Sequence, residues 1–206
     1  MPITANMNFE MVLATNNPHK LEEVRQILAP HGIVVYGLKD LNIQPEDVEE
    51  NGKTYFENAL IKALSVKKLT NLPIISDDSG LEIEALDNQP GLHSARFAQK
   101  YNGHQNAITE ILKQLENKDR KATFVCSITL LNVEDKPLRF ESRIPGKIAL
   151  EPQGETGFGY DPIFVEESSQ LTYAEMTQEL KNKFSHRGKA LNKLLTYLKI
   201  NQLIKR

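Results

Sequence analysis

An α/β fold around a mixed sheet is what this sequence predicts, and three stretches carry the prediction. Residues 11–14 (MVLA) form a short apolar run that passes through a polar turn into an amphipathic helical pattern, an opening unit of α/β sheets. Residues 74–81 (IISDDSGL) set a β-branched pair after Pro73 and run directly into Asp77 and Asp78. Residues 122–132 and 138–144 are long β-branched runs around a turn at 134–137, the pattern of an antiparallel pair. The sheet is therefore expected to be mixed.

In the opening unit, Thr15, Asn16 and Asn17 offer capping side chains, and Pro18 suits a first helical turn. Leu21, Val24, Ile27 and Leu28 make the apolar face of the helix that follows. His19 and Lys20 fall in its first turn, where exposed amides and the helix dipole favour negative charge. A cation there costs about 0.3–1 kcal/mol unless an anion such as phosphate offsets it. Residues 32–37 read as a second strand, and residues 41–51 as an acidic loop with Glu46, Asp47, Glu49 and Glu50. Thr54 and Glu57 form a capping box before a helix striped by Phe56, Ala59, Leu60, Ala63 and Val66. Lys62 flanks that stripe, placed either to reach into a cleft or to extend its ammonium into water.

The strand at residue 74 is expected to end at its two acids, where the sheet meets solvent. Ser79 and Gly80 then turn the chain, and residues 81–86 return as an exposed edge strand. Adjacent carboxylates on stiff backbone repel, and a divalent cation relieves them; oxygen-only donors suit magnesium or manganese rather than zinc. A turn-rich loop ends in Arg96, and a helix is expected from near His104 to Leu115.

Residues 152–164 (PQGETGFGYDPIF) space their glycines unlike a dinucleotide fingerprint, and no helix follows. Here Gly159 and its neighbours allow close backbone approach, Phe158 and Tyr160 offer flat faces to a planar ligand, and Asp161 adds an acceptor. Ser185 caps a last helix that carries Ala190, Leu191, Leu194, Leu195 and Leu198 inward. Its first turn holds His186 and Arg187, so two helix ends present cations and two anion sites are expected.

Composition narrows the function classes. With 206 residues the chain is long enough for one sizeable core, as a single domain or as two lobes sharing a sheet. With 25 Lys+Arg against 27 Asp+Glu, it lacks the basic excess of a nucleic-acid binder. The one cysteine, Cys126, sits in an apolar run and reads as core, with no cluster for zinc or iron–sulfur. Neither a signal peptide nor a membrane span is expected, which places the chain in the cytosol.

Five motifs in order, "TNNPHK", "SDDSGL", "GLHSARF", "GFGYDPIF" and "SHRGKAL", resemble the inosine triphosphatase family, also called Ham1-like or dITP/XTP pyrophosphatases. The resemblance runs from about Met11 to Leu198. It implies hydrolysis of deaminated purine triphosphates (dITP, ITP, XTP) to monophosphate and pyrophosphate, with magnesium as cofactor and manganese able to substitute. It also implies a homodimer and an elongated two-lobed α/β fold, with a long central mixed sheet and the nucleotide in the cleft between lobes. The first eight residues are expected to be a flexible terminus.

By the same resemblance, Thr15, Asn16, Asn17, Pro18, His19 and Lys20 hold the triphosphate. Asp78 is metal ligand and proton acceptor, with Asp77 and Glu49 as further metal ligands. Glu49 is chosen over Glu50 by its spacing to the following glycine. Ser79 touches substrate, while Phe158, Gly159, Tyr160, Asp161, Lys181, His186 and Arg187 close over base and sugar. Lys62 and Arg96 match phosphate or base contacts. "TNN" stands where many members have "TGN". A Maf-like pyrophosphatase acting on other nucleotides and a non-catalytic nucleotide binder are the alternative readings. The paired acids speak against the binder, which gains nothing from carboxylates beside phosphate.

Overall fold

The computed structural model describes residues 8–205, so the expected flexible terminus lies, apart from Asn8, outside the described residues. Strands are β1 (Phe9–Leu13), β2 (Ile33–Gly37), β3 (Ile74–Ile83), β4 (Gln89–Pro90), β5 (Lys121–Leu131), β6 (Leu138–Ile148) and β7 (Phe164–Glu166). Helices are α1 (Pro18–Leu28), α2 (Tyr55–Lys67), α3 (Ser94–Lys100), α4 (His104–Gln114), α5 (Gln178–Phe184) and α6 (His186–Ile200).

The strands form one open sheet in the order β2-β1-β3-β5-β6-β7, with β4 added at the far end of β3. β1 is parallel to β2 and β3, and the remaining pairings are antiparallel, so the sheet is mixed as expected.

β3 and β5 are the spine. They pair along their whole length, from Ile74 opposite Leu131 to Ile83 opposite Ala122. At the β1 end, Met11, Leu13, Ile75, Cys126 and Ile128 pack under α1 and α6, while Val12, Ile74 and Leu131 pack under α2 on the opposite face. At the other end, Leu81, Ile83 and Phe124 pack with α4, Phe164 and Tyr173 in a separate core. Asp77 to Gly80 lie on β3 where these two cores meet.

Two sequence expectations fail here for one reason. Ser79 and Gly80 do not turn the chain, and residues 81–86 are not an edge strand; β3 runs straight to Ile83, with Leu81 and Ile83 fully buried. Gly80 is required instead by close approach, because a Cβ there would run into the Gly91 carbonyl and the Tyr55 ring. The two acids consequently lie within the strand and are buried, not held at its solvent end. α3, β7 and α5 were also not anticipated, being only 7, 3 and 7 residues long. Among the described residues no helix is long and apolar enough to cross a membrane.

Candidate active site

Successive side chains on a strand point to opposite faces, so Asp77 and Asp78 diverge. The expected mutual repulsion is thereby relieved by geometry, and each acid acquires its own surroundings.

Asp78 faces α2. The Asn58 carboxamide donates to its Oδ2 at 3.2 Å, and Lys62 Nζ lies 3.5 Å from Oδ1. Lys62 in turn holds Glu50 Oε2 at 2.9 Å, so α2 draws the acidic loop towards β3. Burial raises the Asp78 carboxyl above the usual range, with Lys62 and Lys20 opposing and Glu50 adding to the rise. Glu50 rather than Glu49 therefore stands beside Asp78; Glu49 is exposed and does not line the cavity. Arg96 clamps the same loop from α3 by donating to the Glu50 carbonyl at 2.6 Å.

Asp77 faces α1 and α6. Its Oδ2 meets Lys20 Nζ at 3.1 Å and Arg187 Nη2 at 3.0 Å. Burial would raise this carboxyl, but Lys20, Arg187 and Lys62 together hold it far below the carboxylate range. Arg187 also binds Glu23 at 2.5 Å and Ser79 Oγ at 3.3 Å. Lys181 joins Glu23 to Asp161, the latter at 2.6 Å. A buried chain of charge thus ties α1, β3, the 158–161 loop, α5 and α6 together.

The two helix starts differ from expectation. Asn17 caps α1 with its own side chain, which accepts from the amides of His19 (2.9 Å) and Lys20 (3.3 Å). Thr15 Oγ1 accepts from Asn17 N at 3.1 Å, fixing the turn in which Asn16 and Pro18 are exposed. At α6, Ser185 caps Gly188 N, and the anions meeting Arg187 are the protein's own Asp77 and Glu23. His186 is not a cation: burial, then Arg187 and Lys181, push it well below the imidazole range. Its ring stacks on Phe124 at 4.0 Å, and its Nδ1 is buried without a partner.

This assignment makes a prediction. The unfolded chain takes up a proton on His186 below about pH 6.5 that the folded chain refuses, so stability present above that pH is lost as pH falls. Exchanging His186→Phe keeps the stack and removes the titration. Urea unfolding followed from about pH 7 to 5 should then show a flatter decline than the parent; an identical slope refutes a neutral His186.

A single cavity of about 780 Å³ joins these parts, a size suited to a nucleotide. Thr15, Asn16, Asn17, Lys20, Lys62, Asp78 and residues of the acidic loop line it, together with Phe158, Gly159, Tyr160, Asp161, His186 and Arg187, and with Ser79 and Arg96. Phe158 stacks on exposed His19 at 5.2 Å and lies beneath Lys181 Nζ at 4.7 Å. Tyr160 is anchored by donating to the Ser94 carbonyl at 2.8 Å, and Asp161 shapes the loop by accepting from Phe158 N at 2.7 Å. Pro18 and His19, both exposed, and Lys181 and Asp77, both buried, are not among the lining residues.

Glu23, Asn58, Phe124 and His104 belong to this site or its support and were missed from sequence. Glu23 had a signal: it lies three residues after Lys20 and four before Ile27, on the buried side of α1. A charge there calls for a buried partner.

The sequence matches the Ham1 family over residues 11–197. It is 42% identical over 188 residues to the dITP/XTP pyrophosphatase of Bacillus subtilis, covering 90% of this chain and 94% of that protein. With the dITP/XTP pyrophosphatase of Halalkalibacterium halodurans the identity is 44% over 192 residues, covering 92% and 98%. Among solved structures, a HAM1 protein from Coxiella burnetii superimposes with TM-score 0.81 at 42% identity, covering 92% of this chain and 98% of that one. The Staphylococcus aureus Ham1 protein gives 0.81 at 38%, covering 93% and 99%. Fold and sequence agree: this chain belongs to the Ham1 family.

Proposed function

We propose that this protein hydrolyses deaminated purine nucleoside triphosphates (dITP, ITP and XTP) to the monophosphate and pyrophosphate, with magnesium as cofactor. The observation that carries this reading is the cavity itself, whose lining brings carboxylates and lysines together with an aromatic loop and Arg187. The names of the relatives support the substrate class.

The residues fit magnesium. Among the described residues no three His, Cys, Asp or Glu side chains form a metal cluster. That is compatible with an ion that uses one or two carboxylates and completes its shell with substrate phosphates and water. Asp78 has a carboxyl raised by burial, which a nearby cation would relieve. Asp78 and a glutamate of the acidic loop would hold the ion, which when bound neutralises phosphate charge and makes water more acidic. Asp77, already surrounded by Lys20 and Arg187, serves as their counter-ion.

The protein's own groups then divide the work. Asp78 accepts the proton of the attacking water. Lys20 turns from Asp77 to the triphosphate, and with Lys62 stabilises charge on the departing pyrophosphate. Phe158 stacks on the base. Arg187, which can only donate, suits a six-keto oxygen and is mismatched to an adenine amino group.

A kcat/KM panel over dITP, XTP, dATP and a pyrimidine triphosphate tests the substrate class. Preference for the first two supports it; preference for the pyrimidine points to a Maf-like activity. The ligand set is tested by Glu50→Gln and Glu49→Gln. The former should raise the magnesium half-saturation about tenfold and the latter leave it nearly unchanged, whereas the reverse order returns the role to Glu49. A homodimer in solution is part of the same proposal, and sedimentation measures it.

A further inference from the structure

Asn58 is 3% exposed in the first turn of α2, a polar side chain poorly suited to a helix interior. Both ends of its carboxamide are used. Oδ1 accepts from Gly52 N at 2.8 Å, and Nδ2 donates to Asp78 Oδ2 at 3.2 Å. Only this orientation works, because the flipped amide would set NH₂ against the Gly52 N–H and oxygen against a carboxylate.

Gly52 is matched to the contact. A Cβ there would lie 2.7 Å from Asn58 Oδ1 and 2.7 Å from Glu57 Cβ, so a side chain at residue 52 would push the loop off α2. Two residues earlier, Glu50 meets Lys62 at 2.9 Å, and Lys62 returns to Asp78 at 3.5 Å. Asp78, Asn58, Gly52, Glu50 and Lys62 therefore form a closed ring in which Asn58 and Lys62 each bridge strand and loop, Asn58 through the loop backbone and Lys62 through a carboxylate that the proposed metal would claim.

We propose that Asn58 is a positioning residue that sets Asp78 and the acidic loop in register, so that their carboxylates face one magnesium ion together. Asn58 does not touch the ion or the substrate. It leaves Asp78 Oδ1 free of any partner but Lys62, and it anchors the loop close behind its glutamates. The inference rests on the metal-dependent reading above and goes beyond it in naming what holds the carboxylates in place.

The test uses two variants that break the contact from opposite sides. Asn58→Leu keeps similar volume and makes neither hydrogen bond; Gly52→Ala lies in the loop and displaces the acceptor with less risk to folding. Mn²⁺ binding is measured by electron paramagnetic resonance on the nucleotide-free protein, alongside magnesium-dependent turnover of dITP.

Both variants should weaken Mn²⁺ binding about tenfold, raise the magnesium half-saturation by a similar factor and lower kcat, with KM at saturating metal nearly unchanged. The double variant should be little worse than Asn58→Leu alone, since that substitution already removes the contact that Gly52→Ala breaks. Folded variants that bind Mn²⁺ and turn over like the parent overturn the proposal, even if their Tm has fallen. If Asn58→Leu fails to fold, Gly52→Ala decides alone. A parent protein that neither binds Mn²⁺ nor releases pyrophosphate refutes instead the functional reading on which this rests.

Discussion

Asp78→Asn should lower kcat by roughly 10²–10⁴ while nucleotide binding is largely kept. The expected loss is large because the proposed mechanism makes one carboxylate both proton acceptor and the β3 contribution to the metal site. The replacement keeps shape and can still accept from Asn58, so the change is confined to charge and basicity. It also has a stability signature. Burial raises the folded-state value of this carboxyl, so its ionisation at neutral pH costs folding free energy. In metal-free buffer the variant should unfold at higher temperature than the parent, and the gap should shrink as pH falls towards about 4, where the unfolded aspartate is also protonated. Calorimetry and steady-state kinetics read the two effects. Turnover near the parent's value removes Asp78 from the mechanism.

The second large effect belongs to Arg187, which is 2% exposed and binds Asp77 and Glu23 together. Arg187→Ala leaves two buried carboxylates short of a cation, and losses of about 3–5 kcal/mol follow from breaking such pairs. Lys20 and Lys181 remain, which places the expectation at the lower end. Arg187→Lys separates structure from selectivity. It keeps a charge but loses the fork that reaches Asp77, Glu23 and Ser79 at once, so the dITP over dATP preference should fall more than stability does. Urea unfolding with a paired dITP and dATP assay checks both. If Arg187→Ala unfolds within about 1 kcal/mol of the parent, the buried network is not a structural element.

What could be read from sequence was whatever depends on local periodicity. The alternating runs at residues 122–132 and 138–144 gave the antiparallel pair, and the Thr54–Glu57 box gave the start of α2. Asn17 and Ser185 act as caps where their positions before helical stripes place them. The failures come from contacts that are distant in the chain. Gly80 reads as a turn until the backbone of Gly91 is known to lie against it. Lys181 and Glu23 are 158 positions apart, and nothing local to either names the other.

His186 illustrates the same limit in its charge. A histidine in a helix's first turn reads as a cation, yet its packing against Phe124 and Tyr173 makes it a neutral ring. Asp77 and Asp78 are adjacent in sequence but face opposite sides of β3, so the repulsion that adjacency implies is absent. Asp77 is a counter-ion to lysine and arginine, and Asp78 is the carboxylate to which the proposed mechanism gives the chemistry.

Hydrolysis of dITP in ¹⁸O-labelled water, with and without magnesium, tests the central claim most directly. Attack at the α-phosphorus predicts label in dIMP, unlabelled pyrophosphate as the other product, and no reaction without the metal. Labelled orthophosphate, or turnover that ignores magnesium, would contradict both the bond assigned to cleavage and the role assigned to Asp78.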